Sequence, residues 1–340
     1  MPIADANIEK KSRVMKITLV PDQTSPYGED AFCREFCSRA AARGHQTQIT
    51  PVAPGPVASG FAQGSDVVLI NSYQSAAIRA ARAAGKKTAV RLIDSFTELP
   101  AEELAAIRAD LNQADALLMP SQYLARLAAG WGFAGRFHTV PYAYDRVRAN
   151  QITLVTIRAS RTDFQIITSS KFNESCRAGL ELLISALAEL RLDWHLSIVG
   201  TGPILASIQD RVRQRLPADR VVFAGDLPHL KVMEFFRAAK AYVNPSGEEG
   251  FPSMALYALS EGCPVVVPRI GAMPELISDG KNGLLFDPGR PASLTSNLVK
   301  LWAERGLSLQ LIAEGIKTVE RHTWDATVAA AFTALEDMVR

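Results

Sequence analysis

Short apolar runs alternate along the chain with longer stretches whose apolar positions recur every three or four residues. Val14–Val20 reads as a strand, and Glu29–Arg43 reads as a helix stopped by Gly44 just past its end. Gln46–Thr50 is a second strand, followed by the Pro-rich loop PVAPGPVASG. Strands are predicted at 66–70 and 87–93, with an Ala-rich helix at 75–84 between them. A helix at 102–113, a strand at 116–119, a helix at 122–129 and a strand at 137–140 complete the first half. Strand and helical crossover in repetition predict a parallel, doubly wound sheet.

The pattern breaks over 141–149 and then restarts. Strands are expected at 152–156, 165–168, 194–199, 221–223, 241–244, 264–267 and 283–286, and helices at 180–190, 204–215, 231–239 and 253–261. Helical stretches at 291–304 and 324–339 form the tail. The expected organisation is an extension over 1–13, a Rossmann-like domain over 14–148, a second over 149–322 and a last helix over 323–340 that packs back on the first domain. Two such units predict a ligand cleft between them, beyond the carboxyl ends of the strands.

The 340 residues suit two domains of roughly 150 residues each. With 48% hydrophobic and 21% charged residues, the chain has material for two buried cores. A net charge of +2 gives no reason to expect nucleic acid as a partner. Residues 1–150 carry 17 Lys/Arg against 14 Asp/Glu, and the rest 20 against 21. That small basic excess is an ordinary solvated surface, or a peripheral contact with anionic lipid. The four cysteines are scattered, and Cys33 and Cys37 have no Cys/His pair beside them, so free thiols in a reducing compartment are expected rather than zinc. No apolar leader and no membrane-length apolar run is present, so the expected location is cytoplasmic, with peripheral contact at the inner membrane face as its limit. Residues 45, 138, 195, 229 and 322 are the histidines, and they form no metal-binding pair.

Three clusters carry chemistry. Gly200-Thr201-Gly202-Pro203 follows the strand at 194–199, and a Gly-rich turn opening a helix can hold an anion on its amides. A tight turn with no ligand reads equally well. Pro245-Ser-Gly-Glu-Glu-Gly-Phe-Pro-Ser253 places amides, a hydroxyl and a carboxylate at a helix start, where phosphate and sugar hydroxyls could bind. Helix capping with Ser253 as N-cap is its bland counterpart. Gly262-Cys-Pro-Val-Val-Val267, Gly271-Ala-Met-Pro-Glu275 and Asp279-Gly-Lys-Asn-Gly283 read as scaffold: a helix stop, a buried strand and turns.

In this order the three clusters resemble retaining, nucleotide-sugar-dependent glycosyltransferases of family 4, the group 1 glycosyltransferases. The family's run is an E-G-F-G/P segment, then E-A-M-A-x-G-x-P-V-V, G-G-x-P-E and G-x-N/T-G-L-L. Here it reads EGFPSMALYALSEGCPVVVPRIGAMPELISDGKNGLLFDPG. Weaker agreement runs through Arg43-Gly44-His45, Ala114-Asp115-Ala116 with Pro120-Ser121, Pro141-Tyr-Ala-Tyr-Asp145 and Thr323-Trp324.

The resemblance implies the α/β GT-B fold, two Rossmann-like domains facing a central cleft. It implies a UDP- or GDP-sugar donor substrate held by the second domain and an acceptor held mainly by the first, with no cofactor and no metal ion. Lys171 and Arg177 fall where the family holds the leaving diphosphate with two cations. Glu249 opens the paired-glutamate motif E-x7-E and is implied to meet the sugar. Gly200, Gly202, Ser246, Gly250, Phe251 and Pro252 complete the implied donor side. Residue 257, where the second glutamate would accept the ribose hydroxyls, is Tyr257, and Glu261 one turn on is the candidate substitute. On the acceptor side stand Tyr27, Gly28 and Ser121, with Asp94 where the family often has a histidine. Two other readings stay open: a degenerate GT-B protein acting as a binding or scaffold subunit, and a sugar-nucleotide epimerase.

Overall fold

Residues 14–22, 31–52, 60–144 and 164–340 are described by a computed structural model. The expectations for 1–13, for Tyr27 and Gly28 and for a strand at 152–156 lie outside these residues.

The apolar runs pair into two separate six-stranded sheets. The first contains β1 (Lys16–Val20), β2 (Gln46–Ile49), β3 (Val67–Asn71), β4 (Lys87–Arg91), β5 (Ala116–Met119) and β6 (Arg136–Thr139). Its spatial order is β2-β1-β3-β4-β5-β6, with every pair parallel. The second contains β7 (Phe164–Ser169), β8 (Trp194–Val199), β9 (Val221–Gly225), β10 (Ala241–Val243), β11 (Val265–Pro268) and β12 (Leu284–Phe286). Its order is β12-β11-β10-β7-β8-β9, again all parallel. Parallel strands need crossovers on both faces, so the central strands lose their alternation. Every residue of β3, VVLIN, is buried, whereas the edge strand β6, RFHT, stays largely exposed.

The crossover helices are α1 (Ala31–Ala42), α2 (Ser75–Ala83), α3 (Ala101–Leu111) and α4 (Gln122–Gly130) in the first domain. The second has α5 (Glu174–Glu189), α6 (Leu205–Arg215), α7 (His229–Ala238), α8 (Ser253–Ser260) and the short α9 (Met273–Leu276). α10 (Pro291–Ala303), α11 (Arg305–Val319) and α12 (Trp324–Val339) end the chain. Apolar clusters cover both faces of each sheet. α5 starts six residues before the predicted 180, and α11 was not predicted at all.

The chain crosses between the domains twice, and the crossings are tied together. Tyr144 donates its backbone N–H to the carbonyl of His322 at 3.2 Å. His322 Nδ1 lies 2.9 Å from the Tyr142 carbonyl, and the Thr327 hydroxyl donates to the Pro141 carbonyl at 2.8 Å. After the second crossing, α12 packs on the first sheet, where Phe332 stacks on Phe36 at 4.5 Å and on His45 at 4.7 Å.

Candidate functional site

The strand order of the second sheet reverses between β7 and β10, where the outgoing chains lead to opposite faces and leave a crevice between their loops. The loop after β10 carries Glu249, which sits half-buried at this point. Its Oε2 accepts from the Ser246 hydroxyl at 3.2 Å and from the Asn244 amide at 3.4 Å. Asn244 also accepts from the Ser246 backbone N–H at 2.7 Å, so it organises the loop that presents the carboxylate. Burial pushes the Glu249 carboxyl up to about 7. The bonds from Asn244 and Ser246 and the charge of Lys171 pull it down, and Asp94 pushes it up.

Lys171 stands in the loop after β7, exposed to solvent, and its charge acts on both Glu249 and Asp94. The next residue, Phe172, is fully buried with φ +46, a left-handed conformation that costs a bulky residue about 1–3 kcal/mol. Its core contacts hold that strain, and its carbonyl accepts from Ile204 N–H at 2.9 Å. Gly200 and Gly202 explain the close fit of this loop. A Cβ on Gly200 would lie 1.9 Å from the Ser170 carbonyl oxygen, and one on Gly202 would lie 2.0 Å from that of Lys171. Both glycines are therefore required by backbone packing under Lys171.

The first domain closes the crevice with the loop after β4. Asp94 is accessible yet enclosed, and that enclosure is the largest cause raising its carboxyl pKa; Asp22 and Glu98 add to it and Lys171 opposes. A Cβ on Gly250 would come within 2.9 Å of the Ile93 carbonyl oxygen, so glycine is what lets the two loops touch. Ser121 is buried; it caps α4 by accepting from Leu124 N–H at 3.2 Å and donates to the Gly250 carbonyl at 2.7 Å. It thus acts as a cap and a bridge between domains, not as a free acceptor-side hydroxyl.

Other predicted residues are engaged away from this centre. Arg177 lies on the first turn of α5, where its guanidinium pairs with Glu174 at 2.5 Å and donates to the Ser207 hydroxyl at 3.2 Å. Glu261 is fully buried and paired with Arg237 at 2.6 Å, with the Tyr144 hydroxyl at 3.5 Å, so its carboxylate is committed inside the domain. Tyr257 packs against Tyr144 at 4.9 Å and His229 at 4.8 Å, and its hydroxyl lies 3.3 Å from that of Tyr142. It faces the tyrosines of the first crossing. Phe251 stacks on Tyr142 at 5.0 Å. Pro252, rather than Ser253, precedes the first turn of α8, and no side chain caps that helix.

Sequence reasoning missed Asn244, Tyr123, Glu248 and, as more than scaffold, Glu275. The Glu248 carboxylate accepts from the Tyr123 hydroxyl at 2.7 Å and from the Thr97 hydroxyl. Glu275 accepts from the backbone N–H groups of Gln122 and Tyr123, both at 2.7 Å. A Glu-Glu pair beside Gly250 was the available signal for Glu248; the others are joined only in space. Among the described residues no helix is long and apolar enough to cross a membrane.

Residues 163–304, which carry Lys171, the Gly-rich turn and Glu249, match the family described as "Glycosyl transferases group 1". The D-inositol 3-phosphate glycosyltransferase of Acidothermus cellulolyticus is 33% identical over 167 residues, 47% of this chain and 37% of that protein. The lipopolysaccharide core biosynthesis mannosyltransferase LpsB of Rhizobium meliloti is 34% identical over 118 residues, 32% of this chain and 33% of LpsB. In both relatives the matched stretch spans only about a third of their own length. Likeness in fold extends much further. The sucrose-phosphate synthase of Thermosynechococcus elongatus superposes with a TM-score of 0.77 at 16% identity, covering 95% of this chain and 99% of that one. Anabaena HepE in complex with UDP and glucose gives a TM-score of 0.74 at 16% identity, covering 95% and 100%. The chain therefore has the two-domain α/β GT-B fold, and its second domain carries the match to the group 1 glycosyltransferases.

Proposed function

We propose that the protein is a retaining glycosyltransferase that moves a sugar from a UDP- or GDP-sugar to an acceptor in glycan, glycolipid or glycoside synthesis. One observation carries this reading: Glu249 and Lys171 stand in the loops that flank the strand-order reversal, and the charges of Lys171 and of Asp94 from the other domain both act on Glu249. The departing nucleoside diphosphate gains negative charge in the transition state, and Lys171 is placed to stabilise it. Glu249 accepts a hydrogen bond from the donor sugar, and Asp94 meets sugar hydroxyls from the facing domain. Arg177, solvent-facing on the first turn of α5 and paired there with Glu174, is the second candidate cation for the diphosphate. The relatives, a D-inositol 3-phosphate glycosyltransferase and a mannosyltransferase of lipopolysaccharide core biosynthesis, support a polyol or glycan acceptor here.

Transfer assays with UDP- and GDP-sugars test the reading. Glu249→Gln and Lys171→Ala should each lower kcat at least about tenfold, and Lys171→Ala should hurt kcat more than donor KM, because the phosphate charge is largest in the transition state. In calorimetric titration Lys171→Ala should weaken binding of the nucleoside diphosphate but not of the nucleoside. Failure of the parental protein to bind any nucleoside diphosphate would transfer the assignment to a non-catalytic GT-B scaffold, the reading favoured by Tyr257 in place of a ribose-binding carboxylate.

A further inference from the structure

Glu249 is bracketed by contacts from the other domain. On one side of it, the Glu248 carboxylate accepts from Tyr123 Oη at 2.7 Å and from the Thr97 hydroxyl. On the other side, the Gly250 carbonyl accepts from the Ser121 hydroxyl at 2.7 Å. Ser121 and Tyr123 belong to the cap and first turn of α4. That turn is gripped in return by the second domain. Glu275 takes the Gln122 and Tyr123 N–H groups at 2.7 Å each, where the positive end of the helix dipole favours a carboxylate, and Arg126 stands 3.5 Å away. These bonds lie outside the two sheets and their apolar clusters.

We infer that Tyr123 is a positioning residue for Glu249, with Glu275 acting through it: the clasp of α4 on residues 248 and 250 sets the carboxylate in its water-poor place only when the two domains are closed. The inference rests on the reading of Glu249 as the sugar-contacting group. It makes the first domain part of the donor site and not just the acceptor's holder. Burial and the Glu248 carboxylate raise the Tyr123 phenol to about 12, so it stays a donor at working pH. The charged and titratable groups acting on Glu249 are Lys171 from the loop after β7, Asp94 from the first domain and the Tyr242 phenol on β10. None of them is altered by the substitutions below.

The test is a double-mutant cycle read by thermal unfolding, so it does not depend on turnover. A carboxyl at about 7 in the folded protein against 4.5 unfolded costs stability increasingly between those values and fully above 7. Glu249→Gln should therefore raise Tm at about pH 9 and do so much less at about pH 4. In a Tyr123→Phe background, or in Glu275→Gln, the loop is released, water reaches residue 249 and the gain at high pH should shrink to half or less. An undiminished gain in both backgrounds overturns the inference. Where transfer is measurable, Tyr123→Phe should lower kcat about tenfold with donor KM nearly unchanged, and should move the acid limb of the rate profile to lower pH. A parental kcat and an unmoved limb would equally overturn it. A parental protein that turns over no nucleotide-sugar overturns the transferase reading alone, and the stability cycle still decides the clasp.

Discussion

The Glu249 carboxylate holds its charge against opposing influences. Burial favours the acid, two hydrogen bonds and Lys171 favour the anion, and Asp94 across the cleft favours the acid again. A carboxylate accepts from a sugar hydroxyl more strongly than the protonated acid does, so the ionised form is the more competent one. The free enzyme's kcat/KM should therefore rise through an acid limb near pH 7. The neighbours make its position a signed prediction. Asp94→Asn removes a like charge and should move the limb to lower pH. Lys171→Met removes an opposite charge and should move it to higher pH, in addition to slowing the reaction. A pH series on the three proteins reads this directly. Shifts in the same direction, or none, would show that Glu249 is not the titrating group. Lys171, Asp94 and Glu249 were singled out through the resemblance to group 1 glycosyltransferases, and each stands in a loop that follows a parallel strand. Tyr123 with Glu248 and Gln122 with Glu275 were not, since 125 and 153 residues separate them and no periodicity records a pairing across a cleft. The local pairing of Arg177 was not read either: on the first turn of α5 its side chain finds Glu174 three residues back.

At the level of elements, the strands were legible and the helices less so, for a physical reason. A buried parallel strand needs only a short apolar run, whereas a helix can carry a residue that its own propensity disfavours if tertiary contact holds it there. Gly315 in α11 is such a case: a Cβ there would lie 2.7 Å from Leu259 Cδ2, so glycine permits α11 to pack on α8. The early start of α5 follows the same logic. A Cβ on Gly179 would lie 1.9 Å from the Pro245 carbonyl oxygen, in the loop that leads to Glu249. Alanine is the better helix former by about 1 kcal/mol, yet Gly179→Ala should destabilise the protein by about 1–3 kcal/mol, because backbone would have to move. Gly130→Ala, in α4 with open space around its Cβ position, should be neutral or stabilising by about 0.4–1 kcal/mol. Denaturant unfolding of the two variants separates contact from propensity. A stabilised Gly179→Ala would mean that α5 does not approach the loop so closely.

The whole molecule is held by more than the faces of its cleft. Its last helix, α12, leaves the second domain at the crossing and completes the first domain's core. Val328, Ala331, Phe332, Ala334 and Leu335 share an apolar cluster with residues of β1, β3 and β5. Arg39 pairs with Asp325 at 2.6 Å and Arg136 with Asp337 at 2.8 Å, but these exposed pairs contribute little beside the buried rings. Phe332 is 3% exposed and lies between Phe36 and His45, with the Arg43 guanidinium 5.0 Å from its ring. Phe332→Ala should therefore cost about 3–5 kcal/mol, the usual range for a buried Phe truncated in a core. That loss should fall on the first domain, although the residue lies beyond every element of the second. Leu301→Ala on α10 makes the counterpart, since Leu301 is buried in the second domain's cluster and should cost about 2–5 kcal/mol there. Calorimetry should then resolve an early transition in each variant, and a nucleoside diphosphate should protect the second domain directly. Under saturating nucleotide the early transition of Leu301→Ala should move up in temperature, and that of Phe332→Ala should move much less. Equal protection of both early transitions would mean that the two domains unfold as one unit, with the crossings and the Glu275–α4 grip transmitting the nucleotide's stabilisation across the cleft.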